Sequence, residues 1–344
     1  MSLQEQSEDL LKEILQRYYS SFDLSLPEDF LLREFAFQNY RTRKYVRHLS
    51  FTSLASLREY LVKETPRNSY YSVALYRDPA AERMDDKGLI GAELLFDIDV
   101  DHIKGCRSDT ITLEEGPKIH VFTPECIELG KEHELRLLDI LKNDFGFSKD
   151  EIEIYFTGNR GFHTVVRPKD NEWLNLTSSQ RRELIDYIKG IGLKITRILP
   201  PKIKLDQRIA ESGGWRRRLF SLVDPEEARR LPPAELVENV KVEIDEQVTQ
   251  DLSRLIRIRR TINGKSGLPS IPFSSESQLI SFTYGIHLSP FKGEAMVKSL
   301  VNLPSLTLSF GTEINLVKGQ TLLVPLPIGV YLQLNDLAKI IRVM

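Results

Sequence analysis

The chain has 344 residues, 41 % of them hydrophobic and 28 % charged, with 47 Lys and Arg against 49 Asp and Glu for a formal net charge of −2. Those proportions exclude a disordered polyelectrolyte and leave enough apolar surface for one large or two modest domains. They also exclude a globally basic nucleic-acid binder, so any polyanion surface must be local, as around Arg41, Arg43 and Lys44 or Arg216, Arg217 and Arg218.

Residues 7–19 predict an amphipathic helix, with Leu10, Leu11, Ile14, Leu15 and Tyr18 at helical spacing. Residues 31–37 and 45–51 alternate and are β-prone, which predicts paired strands joined by the basic loop 41–44. Arg47 stands on the second strand, within reach of a phosphate. A helix is expected over 53–62, capped by Ser53, and a strand over 70–76. A polar loop, 78–87, then leads into Leu94-Leu95-Phe96-Asp97-Ile98-Asp99-Val100. The alternation of Phe96, Ile98 and Val100 with Asp97 and Asp99 predicts a strand with both carboxylates on one face. Two acids so placed repel each other and resist desolvation, and a divalent cation removes both objections. A solvated, exposed strand face is the alternative reading.

Residues 102–124 read as irregular, followed by a helix from a Thr123 cap to about 141. Strands at 151–156 and 164–166 form a hairpin around Thr157-Gly158-Asn159-Arg160-Gly161-Phe162-His163. Gly158 and Gly161 permit unusual backbone angles, and Thr157, Arg160 and His163 make a donor set that suits a triphosphate. The plainer reading is a tight hairpin with a satisfied histidine. Helices over 177–193 and 224–240 flank a basic stretch, 200–218, and suggest a small helical insertion. Residues 241–249 regain strand character, with Asp245 between apolar positions. A short helix running into a strand is expected over 252–258. A basic run, Arg257, Arg259, Arg260 and Lys265, ends at Gly264-Lys265-Ser266-Gly267. In the tail, strands are expected at 305–310, 320–324 and 330–332, and a terminal helix at 334–343. There is no internal repeat.

No run approaches the length of a membrane span, and the opening residues place acids where a secretory leader needs basic and apolar ones. Two cysteines, Cys106 and Cys126, cannot make a disulfide framework, so a reducing, cytoplasmic setting without a membrane is expected.

Taken in order, LLFDIDVD, TGNRGFH, IDEQVT and RLIRIRRTINGKSGL resemble the signature of the small, catalytic subunit of archaeal and eukaryotic DNA primases. REFAF, YVRHLSF and the late HLSPF extend the likeness over most of the chain. The resemblance implies an α/β fold: a mixed-sheet primase-polymerase core flanked by helices, over residues 1–170 and 241–344, with a mostly helical subdomain inserted at 171–240. It implies synthesis of short primers on single-stranded DNA from nucleoside triphosphates during replication. Asp97, Asp99 and Asp245 fall on the family's catalytic carboxylates, which hold two divalent ions, Mg²⁺ or Mn²⁺. Thr157, Arg160, His163, Arg257, Lys265 and Arg47 fall on nucleotide-binding positions, and Glu34 and Tyr45 match the site more loosely. A large regulatory subunit with an iron–sulfur cluster is the implied partner.

Two departures stand out. Asn263 occupies a position where the family usually has histidine, which predicts weaker nucleotide binding or an altered preference, because an amide carries no charge. The family's zinc knob after the acidic strand is matched here only by His102, Cys106, His120 and Cys126, spaced too loosely for a structural zinc to be expected. A primase-polymerase of repair or plasmid type shares the three acids, but the full-length likeness favours the replicative subunit. Retention of those acids and of Arg160 argues against a non-catalytic nucleic-acid-binding subunit.

Overall fold

The computed structural model describes residues 3–112, 118–198, 213–222 and 230–344. Its strands are β1 (Phe35–Gln38), β2 (Tyr45–Leu49), β3 (Asn68–Ser72), β4 (Ala74–Tyr76), β5 (Leu89–Ala92), β6 (Leu94–Asp99), β7 (Ser108–Thr112), β8 (Lys118–Phe122), β9 (Ile152–Phe156), β10 (Gly161–Val166), β11 (Leu255–Arg257), β12 (Ile271–Phe273), β13 (Glu294–Ser299), β14 (Leu303–Thr307), β15 (Glu313–Leu316), β16 (Thr321–Pro325) and β17 (Ala338–Val343). Two four-stranded sheets dominate, ordered β11-β3-β1-β2 and β12-β9-β10-β6, with a smaller sheet β16-β13-β17 near the C-terminal end. The expected α/β architecture is present. The described ladders are antiparallel, so the mixture is one of helices and strands rather than of strand directions.

The β6 alternation works as its sequence demands. Phe96, Ile98 and Val100 are buried in one core with Phe156, Phe162 and the inner face of helix Glu125–Asn143, while Asp97 and Asp99 take the other face. A second core joins the helix Leu3–Ser21, the strands β1 and β3, and the C-terminal sheet. The first helix extends beyond the expected bounds at both ends, to Leu3–Ser21, and Ser53 caps Leu54–Glu64 by accepting from the Ser56 N–H at 3.1 Å. Helices Ile195–Ile198, Gly214–Leu222 and Pro233–Val240 share a small apolar cluster of their own. Much of the basic stretch 200–218, and the start of the helix expected over 224–240, lie outside the described residues.

Several expectations need correction. Residues 70–76 divide between two sheets: β3, paired with β1 and β11, ends at Ser72, and from Ala74 the chain pairs with β5 instead. Residues 102–124, read as irregular, contain the β7–β8 hairpin. The helix expected from a Thr123 cap begins at Glu125, after Pro124 and without a side-chain cap. Residues 330–332 lie in the helix Leu326–Leu334, and 338–343 form strand β17 instead of a terminal helix. The first of these runs is buried on all sides, so hydrophobic periodicity could not distinguish helix from strand. Among the described residues no helix is long and apolar enough to cross a membrane.

Candidate active site

Strand register brings the acidic pair and the basic hairpin together. β6 and β10 pair antiparallel, with Asp99 opposite Gly161 and Asp97 opposite His163. Directly opposed side chains on one face of a sheet are neighbours, and the His163 Nε2 lies 3.3 Å from the Asp97 Oδ1. From the far side, the ring Nδ1 is 3.1 Å from the Tyr155 hydroxyl, so the imidazole is held at both ends. Gly161 is obligatory, since a Cβ there would meet the Ile98 carbonyl oxygen at 2.1 Å. That close approach lets Arg160 fold back, with Nη2 3.4 Å from Asp99 and Nη1 2.7 Å from Asp101.

The turn before β10 is braced by the Gly-Lys-Ser-Gly loop. Gly158 has a φ of +84° and packs on the carbonyls of Leu268 and Pro269, while the Ser266 hydroxyl donates to the Gly158 carbonyl. Thr157 donates its hydroxyl to the Gly161 carbonyl at 3.1 Å, which stabilises the turn. Asn263 is buried and bridges the two loops: its amide donates to the Thr157 carbonyl, and its oxygen accepts from the Lys265 N–H. Burial, and then the charge of Arg160, hold the Lys265 ammonium below its ordinary range.

The other wall belongs to the β11-β3-β1-β2 sheet. Arg257 on β11 donates to the Asn68 side chain at 2.7 Å and lies over the Tyr70 ring at 5.0 Å. Arg47 on β2 is forked onto the buried carboxylate of Glu34, with contacts of 2.8 and 3.3 Å. Burial alone would raise the Glu34 pKa, but the Arg47 hydrogen bond and the His48 N–H carry it below the usual glutamate range. Asp97, Asp99, Thr157, Arg160, His163, Arg257, Lys265 and Arg47 all line one cleft of about 670 Å³.

Asp245 is the exception. Its N–H bonds the Asp97 carbonyl at 2.9 Å, but the carboxylate Oδ1 accepts from Gln247 and Val248 and caps the helix Glu246–Gln250. Residues 241–249 therefore do not form the expected strand. The sequence Asp-Glu-Gln satisfies the helix N-terminus locally, and that outweighs the weak alternation. Among the described residues no group of three His, Cys, Asp or Glu side chains is arranged to hold a metal.

The remaining pair fits a cation well. The Asp97 Oδ1 is buried and, although His163 is near it, accepts no hydrogen bond of proper geometry. Asp99 has its pKa pushed up to about 6, first by burial and then by the charge of Asp97, against the pull of Arg160. Half-buried carboxylates in that condition gain from a hard, oxygen-seeking ion.

Sequence reasoning missed three partners of the site. Asp101 extends the acidic alternation by one step and pairs with Arg160. Tyr155 orients His163, and nothing in its sequence neighbourhood marked it. Glu134 is buried behind the sheet, where it accepts from the Thr164 hydroxyl. The two cysteines, expected in a reducing setting, are joined to one another as a disulfide between Cys106 and Cys126, with a Cα–Cα distance of 4.8 Å.

Residues 96–275 match the family model of the DNA primase small subunit. The DNA primase small subunit PriS of Sulfolobus acidocaldarius is 37 % identical, covering 97 % of this chain and 96 % of that protein. PriS of Hyperthermus butylicus is 34 % identical, covering 95 % of each chain, and PriS of Aeropyrum pernix is 36 % identical, covering 94 % of this chain and 91 % of its own. The polymerase domain of Mycobacterium tuberculosis Ligase D in complex with DNA covers 78 % of this chain and 83 % of its own at 13 % identity and a TM-score of 0.41, a likeness too loose to bear on the site. An acidic strand, a basic hairpin and a lysine loop meeting in one cleft, in a chain so similar over its whole length to PriS proteins, place it in the DNA primase small subunit family.

Proposed function

We propose that the chain is the catalytic subunit of a DNA primase, joining nucleoside triphosphates into short primers on a single-stranded DNA template. The observation behind this reading is the pairing of Asp97 with His163 and Asp99 with Gly161, which sets a cation-seeking carboxylate pair beside Arg160 and Lys265. In the reaction, the 3′-oxygen of the growing primer bonds to the α-phosphorus of the incoming nucleotide. The bond to the β-phosphate breaks, pyrophosphate leaves, and the hydroxyl proton passes to solvent.

Asp97 and Asp99 would hold Mg²⁺ or Mn²⁺, and Asp245 keeps its second carboxylate oxygen for the same task. The bound ions supply Lewis-acid activation of the hydroxyl and charge neutralisation on the leaving group. Arg160, His163 and Lys265 grip the triphosphate from one wall, and Thr157 holds their hairpin in shape. Arg257 and Arg47 face them from the other wall and take substrate or template phosphates. Residues 1–170 and 241–344 form the catalytic body, and 171–240 a helical insertion. The enzyme works in the cytoplasm with the large regulatory subunit that its family resemblance implies.

Primer synthesis on a single-stranded template, with nucleotide type and metal varied, tests the reading. Wild-type protein should make product and Asp99→Ala should not. If the two behave alike, the carboxylate pair is not the seat of the chemistry.

A further inference from the structure

A second cavity, of about 580 Å³, lies on the far side of Asn159, Arg160 and Lys265, which line both it and the catalytic cleft. Its cationic wall is Arg43, Arg67, Lys118, Arg160 and Lys265, against the carboxylates of Asp101, Asp109 and Asp336. Two of those acids are already engaged, Asp101 by Arg160 and Asp336 by Arg43. Arg67 donates to the Leu334 carbonyl at 2.8 Å and has no ion-pair partner among the described residues. It is half-buried, and burial together with the charge of Arg43 holds its pKa below the ordinary range. A guanidinium left so, beside other cations, is costly until an anion arrives.

The lysine loop is shaped around this arginine. A Cβ on Gly264 would lie 2.1 Å from the Arg67 Cγ and 2.6 Å from the Arg67 carbonyl oxygen. Glycine at that position is what allows Arg67 to pass under the loop and share a cavity wall with Lys265.

We propose that this second cavity receives inorganic pyrophosphate, the leaving group of the reaction, with Arg67 as its chief ligand. The inference rests on the primase reading above. Arg160 and Lys265 face both spaces, so a pyrophosphate freed from the primer end is already held by the two residues that open onto the second cavity. Arg67 and Lys118 are the next cations outward.

Calorimetric titration of the full chain with pyrophosphate in the presence of Mg²⁺, with parallel titrations of orthophosphate and single-stranded DNA, tests it. Arg67→Met should weaken pyrophosphate binding by about ten-fold, the scale of one charge-assisted hydrogen bond. Its inhibition constant for added pyrophosphate in primer synthesis should rise by the same factor, with nucleotide KM unchanged. Lys118→Met, at an exposed site on the hairpin, should act in the same direction and decides the matter if Arg67→Met does not fold. Unchanged pyrophosphate affinity in the folded variants overturns the proposal. So does a nucleotide KM that rises in step, or a loss confined to DNA binding, which would make the cavity a strand groove. Because titration needs no turnover, Arg67-dependent pyrophosphate binding in a chain that makes no primer would refute the primase reading alone.

Discussion

Replacing Glu134 by glutamine should stabilise the protein at alkaline pH and leave it unchanged at acid pH. Glu134 is fully buried on the helix Glu125–Asn143; one of its oxygens accepts from Thr164, and the other has no partner. Burial, and to a smaller extent the charge of Asp97, raise its pKa from 4.5 to about 7. A raised carboxyl pKa means the folded state prefers the protonated form. The stability associated with that preference is complete below the unfolded value of 4.5, falls as pH rises, and is lost above about 7. The gap corresponds to about 3 kcal/mol. Glutamine keeps the shape and removes the charge. For a chain of 344 residues with an unfolding entropy of about 2 cal/mol/K per residue, the variant should melt about 4 °C above wild type at pH 8. At pH 4 the two should coincide, and taking the difference between them cancels the titration of every other carboxylate. A difference that is the same at both pH values, or a variant less stable at pH 8, would refute the reasoning.

Gly161→Ala should lower stability by about 3 kcal/mol or more in a denaturant titration, because the new Cβ meets a carbonyl that cannot yield. Glu34→Gln leaves the Lys87 ammonium and the Arg47 guanidinium without their shared carboxylate, 3.6 and 2.8 Å away, and should cost about 3 kcal/mol while raising nucleotide KM. Replacing both Cys106 and Cys126 by serine opens a loop closed across 20 residues and should cost about 3 kcal/mol, read as a lower melting temperature that wild type reproduces under strong reductant. Asn263→His should change nucleotide KM through the loops its amide now bridges; an unchanged KM would show that this bridge does not bear on binding.

What was legible in the sequence was local and periodic. The β6 alternation and the glycine-punctuated hairpin each encode their own geometry, so Asp97 with Asp99, and Arg160 with His163, stood out from the sequence as two features, which the family resemblance joined into one site. Arg47 and Arg257 were found through resemblance, since the pairing of β3 with β1 and β11 that carries them to the opposite wall joins segments far apart in the chain. The strand expected around Asp245 failed because capping is a short-range hydrogen bond that alternation does not register. Glu134 failed for a different reason: a charged residue on an otherwise amphipathic helix reads as solvent-facing, and only tertiary packing reveals that it points at the back of the site. The disulfide is illegible because two cysteines 20 residues apart say nothing about whether a hairpin brings their sulfurs together.

The two walls of the cleft belong to different sheets, so something must set their spacing, and the structure does this with buried charge. Arg33, preceding β1, pairs with Glu93 at 2.5 Å, and Glu93 also holds Arg167, just beyond β10, at 2.9 Å. Arg167 and Arg259 both reach Glu153 on β9, and Arg167 donates to the Tyr71 hydroxyl on β3. Arg33 and Arg259, beside one sheet, thus pair with Glu93 and Glu153 of the other, while Arg33 also pairs with Asp29 and Arg167 with Glu153 on their own sides. Buried ion pairs are poor contributors to net stability, since hydrophobic replacements pack as well without the desolvation cost. Their effect is on geometry, because a wrong spacing leaves an uncompensated charge in the interior, and few arrangements of the sheets avoid that. A nucleotidyl transfer between groups on opposite walls depends on near-attack placement to within a fraction of an ångström. The ion pairs that join the two sides disfavour other spacings of the walls, because each would leave a charge in the interior unpaired.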